Sequence, residues 1–246
     1  MPCWTTRCGS RGSGRPPRLN RRAVNIGERN PSRGGGSMRI GIIGAGNVGG
    51  TLGRGWVRAG HEVMFGVRDA SHPKVVQLLQ EKGARAGTVA GAAAFGEVVV
   101  LATPWEDTQD AIRNAGDLLA GKILFDCTNP LAPQLAGLTH GHETSGGEQV
   151  AAWAPGARVV KVFNTTGANN MANPRFPEGA ATMFYCGDDA DAKATAARLA
   201  ADLGFDPVDA GALSQARLLE PLALLWIRLA YVQGMGREIG FRLMKR

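Results

Sequence analysis

A chain of 246 residues, 44% apolar and 20% charged, can bury the core of one large domain, and it holds no uncharged apolar run near the roughly 18 residues a membrane span needs. The formal charge of +7 suits a nucleic-acid binder, but eight arginines and a single acid, Glu28, fall within residues 1–37, leaving twenty basic and twenty acidic side chains in the rest. The four cysteines, Cys3, Cys8, Cys127 and Cys186, show no CxxC or zinc spacing, so a zinc module and a disulfide scaffold are set aside and a cytoplasmic enzyme is expected.

Residues 1–37 are rich in Gly, Pro, Ser and Arg and lack the apolar content that offsets ordering entropy, so a disordered leader is expected. It has no apolar h-region, and Met38 abuts the first strand, so the functional protein is expected to begin there, with the leader an artefact of the start site. No nucleic acid is expected as a partner. The stretch MRIGIIGAGNVGG follows, an apolar strand over 39–43 running into the fingerprint Gly44-x-Gly46-x-x-Gly49. Glycine permits the tight turn at Gly44, lets a pyrophosphate approach the backbone at Gly46, and lets the helix lie close on the sheet at Gly49.

Further strands are expected at 62–67, 98–102, 122–126, 158–163 and 182–186, with short ones near 84–86 and 207–209. Helices are expected near 47–59, 72–82, 105–119, 146–153, 189–203 and 214–244. Helix 47–59 carries Gly49 and Gly53 on one face, and close packing on the sheet is the expected reason. Strands alternating with helices imply an α/β fold, a doubly wound, mostly parallel Rossmann sheet over 38–212 with a short helical extension over 213–246.

Ligands in such sheets bind beyond the carboxyl ends of the strands. Those ends carry Gly44, Ala45, Gly46, Asn47, Val48 and Gly49; Val67 and Arg68; Thr103, Pro104 and Trp105; Thr128, Asn129 and Pro130; and Asn164, Thr165 and Thr166. An NAD site usually ends its second strand in Asp or Glu, whereas this one reads FGVRD. Arg68 could pair a 2′-phosphate, with Lys74 adding charge, so NADP(H) is the expected cofactor. Asp69 is the rival, as an offset acceptor for the ribose hydroxyls.

The set is poor in acids and bases. His61 and His72 are expected to be structural or solvated, and His140 and His142 to belong to a mobile loop; no metal site is expected. Lys161 and Asn164, read as one strand, would point to opposite faces, leaving Lys161 packed or paired at the sheet surface and Asn164 in the crevice. A reaction that needs no protein acid or base is hydride transfer between a nicotinamide and a flavin-like ring. The alternatives are NADPH-dependent reduction of a small carbonyl or imine, and non-catalytic NADP sensing.

In order along the chain, GIIGAGNVGG, FGVRD, LATPWED, KVFNTTGANNMANP, YCGDD and DAGALSQARLLEPL resemble the NADPH-dependent coenzyme F420 (8-hydroxy-5-deazaflavin) reductase family, across residues 38–246. The resemblance implies hydride transfer between NADP and the deazaflavin. It implies a pyrophosphate on Gly44–Gly49, an adenosine phosphate facing Val67 and Arg68, and a nicotinamide bordered by Thr103, Pro104 and Trp105. The chain departs from archaeal members where Asn164 stands in a segment that bears His there. The Phe163-Asn164 pair also resembles the oxidoreductase domain of six-transmembrane ferric reductases, so either coenzyme F420 or a flavin is the implied co-substrate. Asn129, Asn164 and Thr165 are the residues expected to position it, with no side chain acting as acid or base. The apolar C-terminal stretch is expected either to pack in the core or to make a homodimer contact.

Overall fold

The computed structural model describes residues 36–246, so the expectation of a disordered leader lies outside the described residues apart from its last two positions. In chain order the elements are β1 (Arg39–Ile43), α1 (Asn47–Arg58), β2 (Glu62–Gly66), α2 (Pro73–Leu78), β3 (Ala84–Gly87), α3 (Val89–Phe95), β4 (Val98–Leu101), α4 (Trp105–Ala115), β5 (Ile123–Asp126), α5 (Gly146–Trp153), β6 (Arg158–Lys161), α6 (Ala168–Ala172), β7 (Arg175–Phe176), β8 (Gly179–Ala180), β9 (Thr182–Gly187), α7 (Ala190–Asp202), β10 (Asp206–Asp209) and α8 (Ala216–Ile227).

One sheet carries the fold, with strand order β10-β9-β6-β5-β4-β1-β2-β3. The six strands from β3 to β6 are parallel. Strands β4 and β5 are buried along their whole length, which is why they read as continuous apolar runs instead of alternating ones, apart from the buried Asp126 that ends β5. Leu52 and Trp56 of α1, Leu78 of α2, Met171 of α6 and Leu199 of α7 pack on one face. Ala93 of α3, Ala111 and Ile112 of α4 and Val150 of α5 pack on the other. The order of connection reverses between β1 and β4, so the ligand crevice of a doubly wound sheet lies over their carboxyl ends.

Three features depart from expectation. Strand β9 runs antiparallel to β6, because α6 has only five residues and spans about 7 Å, too little to return the chain to the far end of the sheet. Strand β6 stops at Lys161 instead of Phe163, since Phe163 adopts a left-handed φ of 58°. The last helix does not reach residue 244. Helix α8 ends at Ile227, a π-helical turn covers Arg228–Val232, and Gly234 and Gly236, with φ of 73° and 79°, turn the chain out of it. The tail that follows is laid along the body: Ile239 O accepts from Asn170 Nδ2 (2.6 Å) and Trp226 Nε1 (2.8 Å), and Phe241 O from Thr182 N (2.9 Å). Helix α3, reading VAGAAAF, gave no periodic signal because alanine and glycine mark neither face.

Close packing does account for Gly53. A Cβ there would stand 2.6 Å from Phe65 Cε1 and 3.0 Å from Ile42 Cδ1, both on the sheet beneath α1. Gly53→Ala is expected to lower the unfolding free energy by about 1 to 3 kcal/mol, the usual cost of overpacking a tight core. Urea unfolding checks this, and an unchanged midpoint would mean that α1 can lift off the sheet freely.

Candidate functional site

The glycine loop has the geometry its sequence requires. Gly44 takes φ 103°, its N–H donates to Gly66 O at 3.1 Å, and a Cβ on it would sit 2.6 Å from Ala102 O. A Cβ on Gly49 would collide with Gly44 O, whereas one on Gly46 would meet nothing within 4 Å and would project into open space. Gly46 is also the residue before α1, with no side chain capping the helix. The first amides of α1 are therefore left for an anion, with the helix dipole adding its own attraction. The cradle fits a pyrophosphate.

Two cavities flank this loop, and Ala45 and Gly46 line both. The smaller, about 450 Å³, gathers Gly44, Val67, Arg68, Thr103 and Pro104, five of the residues expected at the cofactor. Arg68 is 90% exposed and stands 3.6 Å from Asp107 Oδ2. The rival acceptor Asp69 is already engaged: its Oδ1 accepts from Ser71 N (2.8 Å) and Ser71 Oγ (2.6 Å), and these bonds hold its carboxyl below the usual range. No acid ends β2. Trp105 lines neither cavity; its ring stacks on Trp153 (5.3 Å) and meets His140 edge-on (5.4 Å).

The larger cavity, about 680 Å³, lies on the other side of the loop and takes in Asn47, Val48, Lys74, Asn129 and Asn164. Lys74 thus faces a different space from Arg68. Thr165 is 3% exposed and lines neither cavity, while its neighbour Thr166 does. Asn129 Nδ2 donates to Asn164 O (3.0 Å), and Asn164 Nδ2 donates to Asn129 Oδ1 (3.1 Å) and to Leu219 O (3.2 Å). Leu219 O can only accept, which fixes the orientation of that amide. Asn164 Oδ1 is left buried with no partner. The left-handed Phe163, buried and edge-on to Trp56 at 5.5 Å, is the turn after which Asn164 enters the cavity wall. The lining residues that were not foreseen include Arg54, Trp226, Tyr231 and Arg237. They come from α1, α8, the π turn and the tail, and no local motif ties them to the glycine loop.

Beneath the amide pair lies a buried ionic cluster. Lys161 Nζ is 2.9 Å from Asp126 Oδ2, 2.8 Å from Glu220 Oε1 and 2.6 Å from Thr128 O, and all three charged side chains are at most 1% exposed. Each carboxylate oxygen has a partner: Asp126 Oδ1 accepts from Thr128 N and Oγ1, and Glu220 accepts from the amides of Gly146 and Gly147 at the start of α5. Lys161 is paired, as expected, but deep under α8 instead of at the surface. Burial pushes its pKa down, and the Asp126 and Glu220 carboxylates outweigh that and hold it above 10.5, so it stays protonated. It does not serve as a base.

Proton chemistry is scarce elsewhere too. Burial pushes the Cys186 thiol up to about 12 and the Cys127 thiol well above its ordinary value, so both are inert. His61 is bound by Asp202 Oδ2 and Met38 N, and among the described residues no histidine, cysteine or carboxylate lines the larger cavity. Among the described residues no His/Cys/Asp/Glu group could hold a metal ion, and no helix is long and apolar enough to cross a membrane.

Removing Glu220 strips Lys161 of one carboxylate and two helix amides of their acceptor. Glu220→Ala is therefore expected to cost about 3 to 5 kcal/mol, as for other broken buried pairs, read by urea unfolding. Because the folded Lys161 pKa is raised, the cluster's contribution is present below 10.5 and is lost as pH rises through the folded value. Wild type should lose stability there, and the variant should lose less.

Known proteins resemble this chain over most of its length. The family model described as NADP oxidoreductase, coenzyme F420-dependent, matches residues 39–130. A solved structure of a putative F420-dependent NADP-reductase from Arthrobacter sp. FB24 superposes with a TM-score of 0.77 at 35% identity, covering 85% of this chain and 100% of that one. The F420-dependent NADP reductase of Methanothermobacter marburgensis is 29% identical over 224 residues, 84% of this chain and 98% of that protein. The rat metalloreductase STEAP3 is 33% identical over 190 residues, 76% of this chain, and the match spans only 37% of its length.

Proposed function

This chain belongs to the family of coenzyme F420-dependent NADP oxidoreductases, and from that membership we propose that it transfers a hydride between NADP(H) and a deazaflavin or flavin-like acceptor. The observation that supports the proposal is the pair of cavities meeting at Gly46, one with an arginine and no strand-end acid, the other with an amide pair and, among the described residues, no histidine, cysteine or carboxylate.

NADPH held across the loop would supply a hydride, and a ring acceptor beside it would take up that hydride and its electron pair. Gly44, Ala45, Gly46, Asn47, Val48 and Gly49 hold the pyrophosphate by backbone amides and the N-terminus of α1. Val67 and Arg68 bind the adenosine end, Arg68 exchanging Asp107 for the 2′-phosphate, and Thr103 and Pro104 border the reactive end. Asn129 and Asn164 fix the acceptor ring; they contribute orientation, since a small misplacement of reacting rings is costly to rate. A second reading, reduction of a small carbonyl or imine, would rest on Tyr231, the single phenol lining the larger cavity.

Arg68→Ala should raise KM for NADPH while leaving KM for NADH in place. Its contact should be worth roughly 1.5 kcal/mol, the lower end for a charged hydrogen bond, because the side chain is 90% exposed. Steady-state kinetics with both cofactors test this, and an unchanged preference would move the phosphate site away from Arg68. The proposed chemistry itself is tested by mixing NADPH and the purified chain with a deazaflavin, FMN, FAD and a panel of ketones and imines. Ring acceptors should turn over with no bell-shaped dependence arising from the protein between about pH 6 and 9. Turnover of ketones or imines alone, falling on Tyr231→Phe, would favour the second reading.

A further inference from the structure

The smaller cavity, on the Arg68 side of the glycine loop, carries more negative charge than its proposed occupant calls for. Helix α4 lines it with Asp107, Asp110, Ala111 and Asn114, a spacing that puts all four on one face of the helix. Among the described residues that line it, Arg68 is the single cation, against the carboxylates of Asp107 and Asp110. A 2′-phosphate brings a further charge of about −1.5 to −2 at neutral pH, and like charges on one concave surface oppose its entry.

The two acids are held differently. Asp110 Oδ1 accepts from Arg113 Nη1 at 2.5 Å, so its charge is answered on α4 itself. Asp107 has one ion-pair contact among the described residues, Arg68 Nη2 at 3.6 Å. That distance is too long for a hydrogen bond, the Asp107 side chain is 46% exposed, and a pair of this kind is loose. Arg217, by contrast, grips Glu148 through two bonds of 2.9 and 2.6 Å. Asp107 is placed by the fold and not by the arginine. It lies in the first turn of α4, where its N–H donates to Pro104 O at 3.1 Å and the helix dipole favours a carboxylate. Glu106 fills that role in the same turn without lining the cavity, so the helix does not require the inward acid.

We propose that Asp107 sets the cofactor preference of this chain by competing with the 2′-phosphate for Arg68. NADP(H) is then bound less tightly than the arginine alone allows, while NAD(H), with a hydroxyl in place of the phosphate, meets the pair intact. The inference rests on the reading of this cavity as the adenosine side of the cofactor. It adds α4 to the end of β2 as an element that determines cofactor choice.

The test follows the fluorescence of NADPH and of NADH as each binds the full chain, with adenosine 2′,5′-bisphosphate and 5′-AMP as competitors that lack the nicotinamide. Asp107→Asn keeps the size of the side chain and removes its charge. In this variant the ratio of the NADH to the NADPH dissociation constant is expected to rise about fivefold, the upper end for an exposed charge pair, with the bisphosphate gaining on 5′-AMP to the same extent. The rise should shrink in high salt and in an Arg68→Ala background, where the contested arginine is gone. Asp107→Glu, which keeps the charge, should hold the ratio within about twofold of wild type. A ratio that stays or falls in Asp107→Asn would overturn the inference alone, since the carboxylate would then be a bystander or a support for Arg68, and so would a rise that persists in full without Arg68. A wild-type ratio near one that Arg68→Ala leaves untouched would instead overturn the placement of the phosphate beneath it.

Discussion

The buried contact of Lys161 with Asp126 and Glu220 is the constraint from which the rest of the site hangs. It joins three elements that are far apart in sequence: the ends of β5 and β6 and the middle of α8. Charges removed from water are stable only if their remaining donors and acceptors are matched, and here the matching groups belong to the site. Thr128, whose amide and hydroxyl reach Asp126 and whose carbonyl takes Lys161, precedes Asn129. Leu219, whose carbonyl takes Asn164, precedes Glu220. The amide pair on the cavity wall is thus positioned by an ion cluster one residue away on either side.

The same contact explains the role of the C-terminal segment. Helix α8 buries little beyond Ala216, Leu219, Glu220, Ala223 and Trp226, and its outward face leaves Leu218 and Leu225 largely exposed. Glu220 reaching the start of α5 fixes where that helix lies, and Trp226 then closes against Gly167 and caps Ile239 of the tail. Ionic pinning of α8, amide bonding of the tail and the reversal at Gly234 and Gly236 follow one another along the chain. Together they place two aromatics and an arginine beside a glycine loop formed some 180 residues earlier.

What could be read from the sequence was local. The fingerprint Gly44, Gly46 and Gly49 has its geometry dictated by which Cβ atoms would collide, and the apolar runs of β1, β4 and β5 state their burial outright. Arg68 and the absence of an acid at the end of β2 were equally legible. What depended on tertiary placement was not. Lys161 and Asn164 read as one strand until Phe163, at φ 58°, breaks the alternation, and nothing nearby announces that Glu220 will bury itself on Lys161. Arg54, Trp226, Tyr231 and Arg237 carry no motif at all. The long helix expected over 214–244 failed because its apolar spacing continues past Ile227 while Gly234 and Gly236 end it, and the separate effect of those glycines outweighs periodicity.

The proposed chemistry comes down to a crevice in which the protein would orient two cofactor rings and move no proton of its own. Single-turnover mixing with NADPH deuterated at the transferred C4 position addresses that most directly, with a deazaflavin or FMN as acceptor and in light and heavy water. The account predicts slower reduction with the deuterated nicotinamide and no change on moving to heavy water. A rate indifferent to the C4 label but slowed in heavy water would contradict it, because a proton held by the protein would then govern the step.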